Sequence, residues 1–277
     1  MRIVTDTGVM YSPEEGKKLG FDVLPLNVTV NGKTFREYVD IFSEEYIEII
    51  KEGHIPMSSQ PSVGTTLELF EELNGEETLV INMADGLSGT YQSTVGAKET
   101  IENNDNIHVI NSMTLCGPQR YLVEKAVALR DAGKTLEEIK EEIYETMKTG
   151  KSFLIPSDFD FLKRGGRLTP LAATIGGMLK IVPVMTQTDD GRRLEKFAMK
   201  KTMKGAVKDV IADFIDRGVN EDYIIYITHA GALEKAEKAA EQIKAGIPGV
   251  QIEILYLSPA FITQGGPGCV AIQCIKK

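Results

Sequence analysis

Residues 78–93, which read TLVINMADGLSGTYQS, place a short apolar strand directly before a turn and a helix. The strand is expected over Thr78–Asn82. Short β-rich runs of this kind alternate with helical patterns along the chain, as they do in proteins built from α/β layers. Near the start, the strand Arg2–Thr5 precedes residues 12–15, Ser-Pro-Glu-Glu, which supply an N-cap, a proline at the first helical position and a capping-box glutamate. The alternation predicts an α/β fold.

A small hairpin is predicted near residues 24–40. Asn31-Gly32 suits the positive φ angles of a two-residue turn, and it joins Leu26–Val30 to Thr34–Glu37. We expect this hairpin to form a flap on the first domain. The other strands predicted in the chain, apart from one further hairpin, are Ile107–Ile110, Phe153–Ile155, Tyr223–Thr228, Ile252–Leu257 and Cys269–Ile275.

The second half of the chain has a different pattern from the first. Residues 189–191, Asp-Asp-Gly, predict a turn that joins Val182–Thr186 to Arg193–Phe197 in a hairpin, which a purely parallel sheet does not contain. We therefore predict two domains: a mostly parallel, three-layer α/β domain over residues 1–150 and a mixed-sheet α/β domain over residues 151–277. The cleft between two such domains is a usual place for a ligand.

The composition is that of an ordinary globular protein. Of 277 residues, 42% are hydrophobic, 31 are Lys or Arg and 40 are Asp or Glu, for a formal charge of −9. This charge repels phosphate backbones and anionic lipid headgroups, so we expect neither nucleic acid nor stable membrane anchoring. The N-terminal residues lead directly into a strand without a signal-type apolar region, which predicts a cytoplasmic location. We interpret Cys116, Cys269 and Cys274 as buried thiols.

Residues 57–62, Met-Ser-Ser-Gln-Pro-Ser, concentrate three hydroxyls and one amide before a helix that begins near Val63. The hydroxyls of Ser58 and Ser59, with the free N–H groups of a helix start, are typical of an anion site. The alternative is that Ser62 caps the helix and the other residues decorate a turn, because serine is a preferred N-cap.

Ser88 lies at the turn between the strand Thr78–Asn82 and the next helix, a position that suits an oxyanion or a carboxylate. Gly86-x-Ser88 also resembles half of a nucleophile elbow, and Ser88, Asp158 and His229 follow the chain order of α/β hydrolases. The elbow is incomplete, since Thr90 occupies its second glycine position. A serine hydrolase acting through Ser88 is therefore an alternative hypothesis.

Lys163, Arg164 and Arg167 surround Gly165-Gly166 in an otherwise acidic protein. Guanidinium groups bind phosphate or carboxylate, and glycines permit close approach of the backbone to a ligand. A solvated turn is the alternative. The glycine spacing matches neither a P-loop nor a dinucleotide-binding motif, so we predict no bound nucleotide.

Gln264 precedes residues 265–268, Gly-Gly-Pro-Gly, which fix an unusual backbone before the last strand. Its amide could face a ligand, and a tight turn without a function would look the same. The histidines, His54, His108 and His229, show no spacing typical of metal ligands, so we predict no metal.

Seven segments together carry a resemblance to a known family. They are Ile3–Thr7, Leu24–Leu26, Ser58–Ser62, Leu87–Ser93, Leu162–Leu168, Leu179–Val184 and Gly265–Gly268. In this order they resemble the DegV family, the fatty-acid-binding B subunits of bacterial fatty acid kinase. The match runs nearly from end to end.

The resemblance implies a two-domain α/β protein that encloses a long-chain fatty acid in a tunnel between its domains, without a cofactor. It also implies that the carboxylate lies near the opening, where hydroxyls bind it. The family threonine that supplies one hydroxyl is Ser58 here, followed by Ser59, and the serine of the family's Leu-Ser-Gly motif is Ser88. Gln264 stands where the family usually has histidine, so an imidazole contact becomes a contact from an uncharged amide.

The resemblance further implies a partner in phospholipid metabolism. Arg167 matches the arginine of the family's Gly-Gly-Arg motif, where a separate ATP-binding A subunit docks and phosphorylates the fatty acid. With Lys163 and Arg164 it makes a local basic region on an acidic chain. The chain itself would then contribute no catalytic residues.

Our leading hypothesis is a non-catalytic bacterial protein that binds a fatty acid and presents it to the kinase subunit. Each buried CH₂ contributes about 0.8 kcal/mol, so the acyl tail would supply most of the affinity. Neutral hydroxyls would stabilise the carboxylate without adding charge. A hydrolase of lipid esters that uses Ser88 is the main alternative, and a ligand-dependent regulatory sensor is a third.

Overall fold

A four-stranded parallel sheet forms the centre of the N-terminal half. The computed structural model describes residues 1–73, 75–102, 104–175 and 181–277. In spatial order the sheet consists of β2 (Asp22–Leu24), β1 (Arg2–Asp6), β6 (Thr78–Asn82) and β7 (Ile107–Asn111). All neighbouring strands in it are parallel. Strand β6 is buried along its whole length, as expected for a parallel strand that is covered on both faces.

A small antiparallel sheet lies beside this domain. It consists of β4 (Lys33–Arg36), β3 (Asn27–Val30) and β5 (Met57–Ser59) in that order. The turn between β3 and β4 has positive φ angles at Asn31 (51°) and Gly32 (69°), which confirms the predicted hairpin. Strand β5 was not predicted, because the sequence reads there as a loop before a helix.

The C-terminal half contains a six-stranded mixed sheet. Its strands, in spatial order, are β10 (Leu194–Lys200), β9 (Val182–Gln187), β8 (Lys151–Ile155), β13 (Val270–Lys276), β11 (Tyr223–His229) and β12 (Gln251–Tyr256). The β11–β12 pair is parallel and the other pairs are antiparallel. The β9–β10 hairpin and the mixed sheet confirm the prediction for this half.

Helices pack around and between the sheets. They are α1 (Pro13–Leu19), α2 (Ser43–Lys51), α3 (Val63–Glu72), α4 (Thr90–Glu99), α5 (Cys116–Asp131), α6 (Leu136–Met147), α7 (Phe159–Gly165), α8 (Pro170–Ala173), α9 (Met203–Asp216), α10 (Leu233–Gly246) and α11 (Pro259–Gly265). Ser12 and Glu15 form the predicted capping box at the start of α1. A short 3₁₀ helix, Thr7–Val9, follows β1.

Helix α5 joins the cores of the two halves. Its buried Leu122 packs in one hydrophobic cluster with Ile3 of β1 and with Tyr226 of β11, so it contacts both large sheets. Residues of α9 and α10 cover the other face of the mixed sheet. The three cysteines are buried and free, as predicted.

The pair of sheets confirms the predicted α/β class, with a parallel first domain and a mixed second domain. The boundary at residue 150 stays a prediction, and β8 begins at Lys151. Of the motif Leu179–Val184, residues 179 and 180 lie outside the described residues.

Candidate functional site

A largely apolar cavity lies between the two halves of the chain. Its empty space is about 990 Å³, a figure that includes the opening to solvent. The first half lines it with residues from β5, from the loops around β6 and β7, and from the start of α5. The second half contributes β8, β9, β13 and α11. The apolar side chains in the wall are Leu26, Met83, Leu87, Leu115, Cys116, Phe153, Leu154, Leu162, Met185, Leu194, Leu257, Ala260, Phe261 and Ala271.

Gln264 and Ser58 meet in the wall of this cavity. Gln264 Nε2 of α11 donates to Ser58 Oγ of β5 at 3.0 Å, which joins the two halves of the chain. Because the serine oxygen accepts this bond, its own proton stays free for a ligand. A Cβ atom on Gly165 would lie 2.0 Å from Gln264 Oε1, so the amide requires a glycine there. Within the described residues, Gln264 Oε1 has no hydrogen-bond partner.

Ser88 also lines the cavity, half-buried just before α4. Its hydroxyl lies 2.8 Å from Thr90 Oγ1 and accepts from the Thr90 amide at 3.3 Å. Ser88 is absent from the residues with positive φ, whereas the nucleophile of an elbow sits in a strained turn. No histidine lines the described part of the cavity. The nearby groups therefore give the hydrolase alternative no support, because a nucleophilic serine needs an adjacent base.

Ser59 follows Ser58 in β5 and is exposed. Successive side chains of a strand point to opposite faces, so the two hydroxyls diverge although both residues border the cavity. Ser58 pairs with buried Val28 of β3, which places it toward the core. The strand thus separates two hydroxyls that the sequence placed together.

Arg167 lies where the apolar cavity meets a polar hollow on the surface. Leu87, Ser88, Gly89 and Arg167 border both spaces, and Arg193 is a second cation in the hollow. Arg167 Nε donates to Leu87 O at 3.0 Å and another N–H donates to Gly165 O, which ties the first half of the chain to the second. Burial lowers the pKa of Arg167 from its ordinary value, but a guanidinium stays charged.

Lys163 and Arg164 stand apart from the cavity wall, at the last turn of α7. Both side chains are exposed, and Arg164 stacks over the Phe161 ring with 4.6 Å between its guanidinium carbon and the ring centre. Neither forms a salt bridge within the described ranges. The predicted basic cluster therefore divides into Arg167, which lies at the mouth of the cavity where it meets the polar hollow, and an exposed pair beside it.

Glu37 is a buried carboxyl group that the sequence did not single out. Its carboxylate accepts from Thr7 Oγ1 and, at 2.7 Å, from the Ala260 amide in the first turn of α11. Desolvation raises the pKa of Glu37 to about 7. The group joins the hairpin flap to the helix that carries Gln264, so it positions the site without lining it.

Asp6 positions the loop after β6 in a similar way. Its oxygens accept from Met83 N at 2.9 Å, from Asn82 Nδ2 at 3.1 Å and from Gln119 Nε2 at 3.1 Å. Burial raises the pKa of Asp6, while these hydrogen bonds oppose that shift. The loop that it fixes leads to Leu87 and Ser88.

Neither a cluster of metal-ligand residues nor a membrane-spanning helix occurs in the described part of the chain. No group of three or more His, Cys, Asp or Glu residues there is arranged to hold a metal ion. No helix in the described ranges is both long and apolar enough to cross a membrane.

Comparison with known proteins assigns this chain to a family. The model of the DegV family, described as an uncharacterised protein family, matches residues 1–277. The chain belongs to the DegV family. A DegV domain-containing protein of Listeria monocytogenes is 31% identical over 98% of this chain and 96% of its own length. One of Halalkalibacterium halodurans is also 31% identical, with the same coverage.

Solved DegV structures share the whole fold. DegV from Bacillus subtilis, described as a fatty acid binding protein, is 28% identical and superposes with a TM-score of 0.82 over 100% of this chain and 99% of its own. A fatty acid binding DegV family protein from Streptococcus agalactiae is 26% identical, with a TM-score of 0.88 over 100% of this chain and 98% of its own. The α/β fold of this chain is therefore shared, over its whole length, with these two solved structures.

Proposed function

We propose that this DegV-family protein binds a long-chain fatty acid in the cavity between its domains and presents the carboxylate at the mouth. The observation that carries the proposal is an apolar cavity whose wall becomes polar at Ser58, Ser88, Gln264 and Arg167. The fatty-acid-binding relatives from B. subtilis and S. agalactiae support it.

The chemistry of the mouth suits a carboxylate. An unpaired carboxylate next to apolar walls is costly to bury, and neutral hydroxyl donors lower that cost without attracting a metal. Ser58 has a free proton because Gln264 donates to its oxygen. Ser88 stands at the boundary with the polar hollow, so an acid bound there would direct its carboxylate toward Arg167 and the surface.

The test begins with organic extraction and mass spectrometry of the purified protein, followed by titration of the delipidated protein with hexadecanoic acid. We expect about one fatty acid per chain in the extract. Ser88→Ala should raise the Kd for the acid by about tenfold to a hundredfold, because a hydrogen bond to a charged group contributes roughly 1.5–3 kcal/mol. Isothermal titration calorimetry measures the change.

Ser93→Ala is the matched control for this experiment. Ser93 lies on α4, away from the cavity, and its buried hydroxyl has no partner among the described residues, so the substitution removes no hydrogen bond. Its Kd should stay within about twofold of the original, since no ligand contact is lost. An unchanged Kd in Ser88→Ala would remove Ser88 from the site, and no acid in the extract together with no binding would contradict the proposed function.

We further propose that a separate ATP-binding kinase subunit docks over the polar hollow and phosphorylates the carboxylate there. Lys163 and Arg164 are exposed beside the mouth and are not in the cavity wall, so they are suited to contact a partner rather than the ligand. The overall charge of −9 makes this pair a local exception that favours an acidic or phosphate-bearing partner.

Reversing the charges of Lys163 and Arg164 should impair docking of the kinase subunit without affecting binding of the fatty acid. Lys163→Glu with Arg164→Glu is expected to lower ATP-dependent acyl phosphate formation with the kinase subunit by about tenfold or more, because like charges across an interface are costly. The Kd for the fatty acid should not change. ATP consumption at several concentrations of the binding protein measures the effect.

Lys201→Glu with Lys204→Glu serves as the control, since these exposed lysines lie at the start of α9 and the net charge changes equally. Equal rates for the two double variants would contradict docking at residues 163 and 164.

A further inference from the structure

A second polar group lies in the cavity wall, away from the mouth. Ser152 of β8 and Gln273 of β13 both line the cavity and are paired across the two antiparallel strands. They follow an apolar layer, in which Leu154 pairs with Ala271. The proposed fatty acid would meet these two polar residues along its apolar tail.

The position of this pair along the strands separates it from the carboxylate. The chain leaves β8 at Ile155 toward α7 and Arg167, and Ile155 pairs with Val270, the first residue of β13 after α11. Ser152 lies three residues before Ile155 in β8, and Gln273 lies three residues after Val270 in β13. At about 3.4 Å per residue, they lie roughly 10 Å from the end of the sheet where the mouth residues are attached.

The hydrogen bonds fix the orientation of the Gln273 amide. Its Nε2 donates to Leu115 O at 3.0 Å and to Ser152 Oγ at 2.9 Å. A backbone carbonyl only accepts, so the nitrogen must face Leu115. The residue is 1% exposed, and its Oε1 is buried with no partner among the described residues.

Ser152 supplies a free hydrogen-bond donor beside the free acceptor of Gln273. Its oxygen accepts from Gln273, and its own proton is donated to no group in the part of the chain that the structure describes. The adjacent Thr186 already donates to Ser152 O at 2.9 Å. This hydrogen-bonded pair therefore carries one free acceptor and one free donor, in a part of the wall that also contains Leu154, Ala271, Thr186 and Gln187.

We propose that this pair binds a hydroxyl group on the acyl chain, so that the cavity accepts hydroxylated long-chain fatty acids. The inference rests on the proposed function and names a substrate class for it. A hydroxyl donates and accepts at once, and thus satisfies both Gln273 Oε1 and Ser152 Oγ. A keto group only accepts, so it would leave Gln273 Oε1 without a partner.

The test compares octadecanoic acid with a panel of its positional hydroxy isomers, titrated into the delipidated protein. At least one isomer should bind as tightly as octadecanoic acid or more tightly, while isomers whose hydroxyl meets apolar side chains should bind about tenfold or more weakly. If every isomer binds about tenfold more weakly than octadecanoic acid, the inference is wrong and the proposed function stands. If neither octadecanoic acid nor any isomer binds, both fail.

Two variants assign the effect to these residues. Gln273→Leu keeps the side-chain size and removes both polar atoms, and Ser152→Ala removes the donor while leaving the bond from Gln273 to Leu115. Each should weaken binding of the favoured isomer by about tenfold relative to octadecanoic acid, so the ratio of the two Kd values is the quantity compared. Should Gln273→Leu fail to fold, Ser152→Ala decides the question. A preference that survives in the folded variants overturns the inference.

Discussion

Replacement of Ala271 by phenylalanine is expected to lower the affinity for hexadecanoic acid by about a hundredfold or more. Ala271 lies on β13, lines the cavity and pairs with Leu154 of β8. A larger side chain there would project into the cavity, where the acyl chain of the proposed ligand would lie. A ring there would exclude several methylene groups. At about 0.8 kcal/mol per buried CH₂, the loss of four of them costs roughly 3 kcal/mol, which corresponds to about a two-hundredfold change in Kd.

Calorimetric titration of the delipidated variant measures this effect, with thermal unfolding as a check that the protein is folded. Ala132→Phe is the control, because Ala132 is exposed at the end of α5 and the same ring is added far from the cavity wall. A Kd within about threefold of the original in Ala271→Phe would place the acyl chain elsewhere, since an occupied cavity has no room for both groups.

Much of the fold is predictable from local signals. The strand Thr78–Asn82 was predicted with its observed bounds, and the turns at Asn31-Gly32 and Asp189-Gly191 fixed both hairpins. Apolar runs and residues that tolerate positive φ determine strands and turns over a few neighbouring positions, so these elements can be predicted without knowledge of the rest of the chain.

The contacts that assemble the site join residues far apart in the sequence, and these contacts could not be predicted from the sequence. Strand β5 has three residues, too few for a periodic signal, and its partner β3 lies about 30 residues earlier. Glu37 follows an exposed hairpin and reads as a surface charge, yet its carboxylate binds Ala260, 223 positions away. The divergence of Ser58 and Ser59 likewise follows from a strand that appears only when the small sheet forms.

The same limit applies to the polar pair in the cavity wall. Ser152 and Gln273 are 121 residues apart, and nothing in either strand marks them as functional. Their side chains share a wall because β8 and β13 are neighbours in the mixed sheet. The proposed selectivity for an acyl chain thus depends on the order of the strands in the sheet rather than on any one motif.

Gly117→Ala is expected to destabilise the protein by about 3 kcal/mol or more, because overpacking of a rigid core has costs of this order. Gly117 lies in the first turn of α5, the helix between the two large sheets. A Cβ atom there would lie 2.0 Å from Cγ of Tyr226, a side chain that is 1% exposed on β11, an interior strand of the mixed sheet. Gly117 is absent from the glycines with positive φ, so alanine fits the backbone and the effect isolates the collision.

Gly96→Ala supplies the matched control with the opposite sign. Gly96 also lies inside a helix, α4, but a Cβ atom there would meet nothing within 4 Å. Alanine should therefore stabilise the protein by about 0.5–1 kcal/mol, through the lower conformational entropy of the unfolded chain. Urea unfolding of both variants, compared at equal m-values, measures the two changes. Equal urea midpoints for Gly117→Ala and Gly96→Ala would mean that Tyr226 and its strand can move to make room for the added methyl group. Helix α5 would then not hold the two walls of the cavity at a fixed separation.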